Sequence, residues 1–190
     1  MLDLILSDEK YYDVEIGYWK QKLQGAAPVV LTTDFSRTSA ANRNNASFKF
    51  SIDAGLVERL RSLRENTENE LFANLLATFK VLLYRYSNQE DICVGNIITQ
   101  KMDADDTETG RINMVALRDT LNGEDLFSDL LNRVKNTTVE AYQNQRVPFN
   151  LVVNSLAKDY TGANPFFNTL FSIQHSVNEP LKKNAAGYDI

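Results

Sequence analysis

Two short segments of this chain are apolar at consecutive positions, and they constrain the fold more than any other feature. Residues 92–98 and 112–117 each carry apolar side chains at both odd and even positions. Successive side chains of a strand point to opposite faces, so a run of this kind is covered on both faces. We therefore predict two buried strands that lie between layers of other elements.

The segments on either side of these strands have helical periodicity. Tyr12, Ile16, Trp19 and Leu23 have the spacing of one helix face, which we expect to end near Gly25. Residues 67–70 form a capping box, and the longest apolar stripe of the chain follows it. That stripe comprises Leu71, Phe72, Leu75, Leu76, Phe79, Leu82, Leu83 and Tyr86. It predicts a core helix.

Shorter patterns complete the prediction. Phe48, Phe50 and Ile52 alternate with polar residues, which is typical of a strand with one wet face. We also predict a helix through Leu56, Leu60 and Leu63, a turn at 122–123, a helix over 126–142 and a short helix that begins at Pro148. Helices and strands alternate without an internal repeat or a linker, so we expect residues 1–190 to form one α/β unit.

One more segment has the composition of a strand. Asn164-Pro165 is a turn signal, and residues 166–175 then bring together aromatic and branched side chains. We expect a strand here that is covered on both faces. It ends at His175, the only histidine of the chain.

Composition and charge exclude several classes of function. The formal net charge is −5 and no Lys/Arg cluster stands out, so we expect no nucleic-acid partner. No apolar stretch approaches the roughly 20 residues that span a bilayer, and acidic residues stand where a signal peptide has basic ones. The single cysteine, Cys93, rules out an internal disulfide. We expect a cytoplasmic protein without a membrane partner.

Catalytic signatures are scarce in this sequence. It contains no Gly-x-Ser-x-Gly, no His-Glu-x-x-His, no Gly-rich phosphate loop and no Cys-x-x-Cys. A lone histidine at the end of a strand is more often a structural residue than a base. The residues alone therefore predict an α/β lobe without an identifiable catalytic or metal centre.

Several segments resemble, in order, the condensation domains of non-ribosomal peptide synthetases. Residues 18–25 resemble the family's YWkeqLaG helix, and residues 31–35 resemble its LPTDrp loop. The other matching segments are 71–87 (tLFmtLLAaFqvLLhRYSgQ), 90–95 (dDIvvGtp), 143–150 (hQdvPFe) and 164–175 (NPLF…vlFvlQN). The resemblance covers roughly residues 11–175, nearly the whole chain.

The resemblance implies a chloramphenicol-acetyltransferase-like lobe, with a mixed sheet flanked by helices. Family members have two such lobes, and the tandem-histidine motif HHxxxDG belongs to the N-terminal one. Every matching segment lies downstream of that motif, and nothing after His175 resembles the family's last strands. We therefore expect residues 1–190 to be a single lobe that resembles most of the C-terminal half, and to have no catalytic residue of its own.

One segment departs from the family pattern. The family's GxFVNTxxxR corresponds to residues 109–118, in which Asn113 and Arg118 are kept. Thr109 and Arg111 stand where the family has Gly and Phe. Lys101 likewise replaces a common arginine. These differences indicate either a divergent subfamily or a tunnel wall altered for a particular acyl group.

The resemblance also implies a function and partners. Condensation domains join an acyl donor to an amine acceptor, each carried on the phosphopantetheine arm of a carrier protein. The implied partners are the N-terminal lobe, peptidyl or aminoacyl carrier proteins and an adjacent adenylation domain, and no cofactor is expected to bind directly. The candidate polar groups of the tunnel wall are Asn113, Arg118, Gln174 and His175. For each of them, hydrogen bonding at a strand end is an equally good interpretation.

Two alternatives to an amide-forming lobe remain open. The chain could be a non-catalytic module that docks carrier proteins or neighbouring synthetase domains. It could also be a lobe of a related epimerisation domain, although the segments at 143–150 and 164–167 favour condensation. The sequence leaves both substrates and the stereochemistry undetermined.

Overall fold

The two segments that are apolar at consecutive positions form an antiparallel pair. In the computed structural model, which describes residues 11–34, 46–62, 68–100, 111–157 and 164–174, β1 is Asp91–Gln100 and β2 is Arg111–Thr120. Their register places Gly95 opposite Ala116 and Asn96 opposite Val115. Residues 92–96 and 115–117 are buried at every position, which confirms the predicted coverage of both faces there, whereas Ile97 and Ile112 are exposed.

Five helices accompany the sheet in the described part of the chain. They are α1 (Asp13–Leu23), α2 (Ala54–Ser62), α3 (Glu68–Ser87), α4 (Phe127–Gln143) and α5 (Phe149–Leu156). Each predicted helix is present. Gly25 follows α1 with φ of 73°, in the left-handed region that glycine adopts without strain. Pro148 is the N-cap residue of α5, so the missing N–H of proline costs no helical hydrogen bond.

Helices α3 and α4 cover one face of the sheet. Residues opposite each other in an antiparallel pair share a face, so Asn96, Leu117 and Asp119 belong to the same face. Lys80 of α3 contacts Asp119, and Tyr142 of α4 donates a hydrogen bond to Asn96. Phe167 lies against Gly95 on the other face. The fold is therefore α/β, with an antiparallel pair flanked by helices.

The core stripe of α3 differs from its prediction. The fully buried side chains are Ala73, Leu76, Ala77, Lys80 and Leu83, whereas Leu82 and Tyr86 are exposed. The prediction followed the large apolar residues, but alanine fits where a helix approaches a sheet closely. The capping threonine, Thr67, lies outside the described residues.

The segment at 164–174 contributes less regular structure than predicted. It joins β1 through a parallel bridge between Gly95 and Leu170, with Gly95 N donating to Thr169 O at 3.0 Å and Phe171 N donating to Gly95 O at 2.9 Å. From residue 168 onward, side chains alternate between exposed and half-buried. The predicted coverage of both faces is therefore wrong, because one side of this segment faces solvent.

The predicted strand at 48–52 is not formed. Residues 46–53 are irregular, and among the described residues no strand pairs with them. Phe48 and Phe50 are 87% and 75% exposed, and their ring centroids lie 6.1 Å apart. Alternation predicts which face would be apolar, but a strand also needs a neighbouring backbone to pair with.

Candidate functional site

Two of the four candidate residues, Asn113 and Arg118, lie on β2 and point to opposite faces of the sheet. They are five positions apart in the strand, which corresponds to about 17 Å. Because side chains alternate along a strand, an odd separation also places them on opposite faces. The structure therefore does not bring these two residues into one site.

Arg118 joins three segments of the chain. Its Nε and Nη2 donate to the two carboxylate oxygens of Asp91 at 2.8 and 2.7 Å. Its Nη1 donates to the carbonyls of Lys22 and Gln24, at the end of α1, at 2.9 and 2.8 Å. The hydrogen bonds to Asp91 raise the pKa of Arg118 further. The planar guanidinium thus fixes the start of β1 and the end of α1 to β2.

Asn113 holds the turn that precedes α5. Its Nδ2 donates to Gln145 O at 2.8 Å and to Val147 O at 2.9 Å, and its Oδ1 accepts from Phe149 N at 3.1 Å. One side-chain amide therefore satisfies three backbone groups of the 145–149 turn. It connects two segments that are far apart in sequence and that both resemble family motifs.

The other two candidates end the described segment at 164–174. Gln174 is its last residue and is exposed. His175 lies outside the described residues. Their role at a tunnel wall remains a prediction.

A buried ion pair between α3 and β2 was not predicted from the sequence. Lys80 is fully buried; its Nζ contacts the Asp119 carboxylate and donates to Leu117 O at 2.8 Å. Thr137 of α4 donates to the other Asp119 oxygen at 2.6 Å. Burial lowers the pKa of Lys80, and the Asp119 charge opposes that shift. A lysine inside the apolar stripe of α3 was the available signal.

A cavity of about 400 Å³ opens between the start of α3, the middle of β1 and the second half of α4. Two of its lining residues are hydrogen-bonded: Tyr142 Oη donates to Asn96 Oδ1 at 3.0 Å, and Asn96 Nδ2 donates to Phe171 O at 2.8 Å. Burial raises the pKa of Tyr142 above that of an ordinary tyrosine, which is already protonated at neutral pH. No sequence pattern indicates this polar pair, because the two residues lie 46 positions apart.

The described residues offer neither a metal centre nor a membrane-spanning helix. No group of three or more His, Cys, Asp or Glu side chains among them could hold a metal ion. No helix within the described ranges is both long and apolar enough to cross a bilayer.

Two curated proteins show what this chain is similar to in sequence. Tyrocidine synthase 3 of Brevibacillus parabrevis is 38% identical over 172 residues, which are 87% of this chain and 3% of that protein. Gramicidin S synthase 2 of Brevibacillus brevis is 35% identical over 165 residues, which are 84% of this chain and 4% of that protein. This chain therefore spans a small fraction of the length of the curated relatives that it matches.

Two solved structures have the same fold. A four-domain nonribosomal peptide synthetase bound to AMP and glycine superposes with a TM-score of 0.71 at 20% identity, over 82% of this chain and 12% of the other. The X-domain from teicoplanin biosynthesis, in complex with OxyB, gives 0.70 at 26% identity, over 82% and 36%.

The family model described as the condensation domain matches residues 6–189 of this chain. The match includes the segments that Arg118 and Asn113 tie together. The chain therefore belongs to the condensation-domain family of non-ribosomal peptide synthetases.

Proposed function

We propose that this chain is the C-terminal lobe of an amide-forming condensation domain and is inactive alone. The observation that carries the proposal is the family match over residues 6–189 in a sequence with a single histidine. A chain with one histidine cannot supply the tandem-histidine motif that the family uses. Its expected partners are an N-terminal lobe, carrier proteins and an adjacent adenylation domain, in the cytoplasm.

The proposed reaction is an acyl transfer between two carrier-bound substrates. The amine nitrogen attacks the thioester carbonyl, a C–N bond forms, the C–S bond breaks, and the donor carrier keeps a free phosphopantetheine thiol. A histidine of the N-terminal lobe would take the amine proton or stabilise the tetrahedral intermediate. This lobe would supply one wall of the tunnel that holds both substrates together, and this proximity lowers the barrier.

Two features of the described residues support the role of a wall. Arg118 and Asn113 lock β1, β2 and the 145–149 turn together, which suits a rigid surface. The end of the strand pair formed by the last residues of β1 and the first residues of β2, in contrast, is open to solvent: Ile112 is 72% and Ile97 43% exposed. An apolar edge of this kind is typical of a surface that another element covers.

The test is reconstitution with an N-terminal lobe. The chain is fused to the N-terminal lobe of a condensation domain from tyrocidine synthase 3, and amide formation between loaded carrier proteins is followed by mass spectrometry. We expect product from the fusion, and none from the chain alone or from a fusion whose two motif histidines are alanine. Product from the isolated chain would sink the proposal, as would a folded but inactive fusion.

A second candidate function is a docking module without chemistry. The X-domain, which is 26% identical to this chain, was solved in complex with OxyB, a separate protein. Titration of loaded carrier protein against the chain and its fusion separates the two candidates. Binding together with turnover by the fusion supports the amide-forming lobe, whereas binding without turnover by any folded fusion supports docking.

A further inference from the structure

The cavity beside β1 has the size and lining of a small-molecule site. Its volume of about 400 Å³ falls in the lower part of the range for ligand pockets, roughly 300–1,000 Å³. Its apolar walls come from three elements and from the 164–174 segment. They include Leu71, Phe72, Ile97, Val139 and Ile173.

The polar groups of the cavity argue against a charged ligand. Glu70 and Lys135 line it as an ion pair, and each side chain is only about a quarter exposed, at 24% and 22%. Their charges cancel, so a charged ligand would be desolvated without a compensating partner. The hydrogen-bonded Asn96 and Tyr142 also carry no charge. An apolar group, in contrast, gains about 25 cal/mol for each Å² that it removes from water.

We propose that this cavity binds the uncharged side chain, branched aliphatic or aromatic, of an amino acid that the domain joins. The inference rests on the proposed function, because only a lobe that faces a substrate tunnel would use such a pocket for specificity. Ile97 lies at the exposed end of β1, and Ile173 directly precedes Gln174, one of the tunnel-wall candidates. The cavity would thus select the size of the side chain, and the ion pair at its wall would reject charge.

The binding test uses the full 190-residue chain with ¹³C-labelled methyl groups on Ile, Leu and Val. The probe is N-acetyl-L-leucinamide at millimolar concentrations, and N-acetyl-L-lysinamide is the charged comparison. We expect the methyl signals of Leu71, Val139 and Ile173 to shift with the leucine probe and not with the lysine probe. The methyl signals of Leu23 and Val29, buried and not part of the cavity lining, should stay in place. Shifts elsewhere, no shifts, or equal shifts with both probes overturn the proposal.

A matched pair of variants tests the location. Val139→Trp introduces a large ring at a half-exposed position of the cavity wall, so it should fold and weaken leucinamide binding about tenfold or more. Val14→Trp makes the same change at an exposed position of α1, a helix that contributes no residue to the cavity lining, and should leave binding unchanged. Val139→Phe, a smaller change, should give an intermediate loss. Equal effects at positions 14 and 139 contradict the assignment.

The same variants in the fusion with the N-terminal lobe distinguish this inference from the proposed function. If the fusion forms the amide product and Val139→Trp lowers turnover selectively for leucine-sized over alanine-sized substrates, the proposed function and the cavity assignment are both supported. If the fusion is active and Val139→Trp affects both substrates equally, the cavity assignment fails alone. If a folded fusion is inactive, the proposed function fails, and with it the substrate role of the cavity, even where leucinamide binds.

Discussion

Among the glycines of the described residues, Gly95 has the least room for an added side chain. A Cβ built on it would lie 2.3 Å from the Phe167 ring and 2.6 Å from the Leu170 Cδ2 atom. The backbone of Gly95 also accepts from Phe171 N and donates to Thr169 O. The absence of a side chain therefore lets the 164–174 segment lie against β1.

We expect Gly95→Ala to lower the free energy of unfolding by about 1–3 kcal/mol, because the buried ring must move. Urea denaturation measures the change. Gly17→Ala is the matched control: nothing lies within 4 Å of its Cβ, and an alanine inside α1 should stabilise by roughly 0.5–1 kcal/mol. A Gly95→Ala variant with an unchanged free energy of unfolding would contradict the packing of Phe167 on β1.

Cys93 predicts a pH dependence. Burial raises the pKa of its thiol from 9.0 to about 12. Above pH 9 the unfolded chain loses this proton while the folded chain keeps it, so stability falls as pH rises from about 9 to about 12. We expect the wild type to lose stability relative to Cys93→Ala across that window in urea denaturation. A constant difference between the two proteins from about pH 8 to about pH 11 would count against the burial of the thiol.

Buried polar contacts decide how the elements pack against each other. The Lys80–Asp119 pair joins α3 to β2, and Thr137 adds α4. Lys80→Met leaves a buried carboxylate without its cation, and we expect a loss of about 3–5 kcal/mol in unfolding free energy. The double variant Lys80→Met/Asp119→Leu should recover part of it. Lys20→Met, at an exposed position of α1, is the control. A double variant that is less stable than Lys80→Met would refute this interpretation.

Asn113 predicts a local effect on α5. Asn113→Asp replaces two N–H donors with a carboxylate oxygen that faces the Gln145 and Val147 carbonyls. We expect a loss of about 1–3 kcal/mol. Amide hydrogen exchange should rise most in residues 145–156. Asn132→Asp makes the same chemical change at an exposed position and should leave amide exchange in residues 145–156 unaltered. Uniform changes across the chain would argue against a clamp at this turn.

The helices and the central strands could be predicted because their signals are local. Ile16, Trp19 and Leu23 repeat at the helical period, and all three are buried. The absence of a strand at 48–52 and the core position of Lys80 could not be predicted this way. Both depend on a partner distant in sequence: a strand to pair with, or Asp119 to neutralise a charge. The contacts of Arg118 and Asn113 are likewise distant, so the sequence identified these residues without showing what they touch.

At the scale of the whole molecule, exposed apolar side chains in the described residues connect the fold with the proposed function. Phe48 and Phe50 extend into solvent, Leu170 is 52% exposed, and Ile112 marks the open end of the strand pair. Aromatic and branched side chains bury large apolar areas when a partner covers them. A lobe that pairs with a second lobe leaves such a surface open when it is alone.

We therefore expect the isolated chain to bind 8-anilinonaphthalene-1-sulfonate and to self-associate at micromolar concentrations, because exposed apolar surface drives both. Fluorescence titration and analytical ultracentrifugation measure these effects. The fusion with the N-terminal lobe should lose most of both signals. Phe48→Ser/Phe50→Ser, which changes exposed positions only, should reduce dye binding in the isolated chain and have little effect in the fusion. A monodisperse chain without dye binding would contradict the half-domain proposal, because an apolar surface that a partner normally covers should bind the dye or another copy of the chain when that partner is absent.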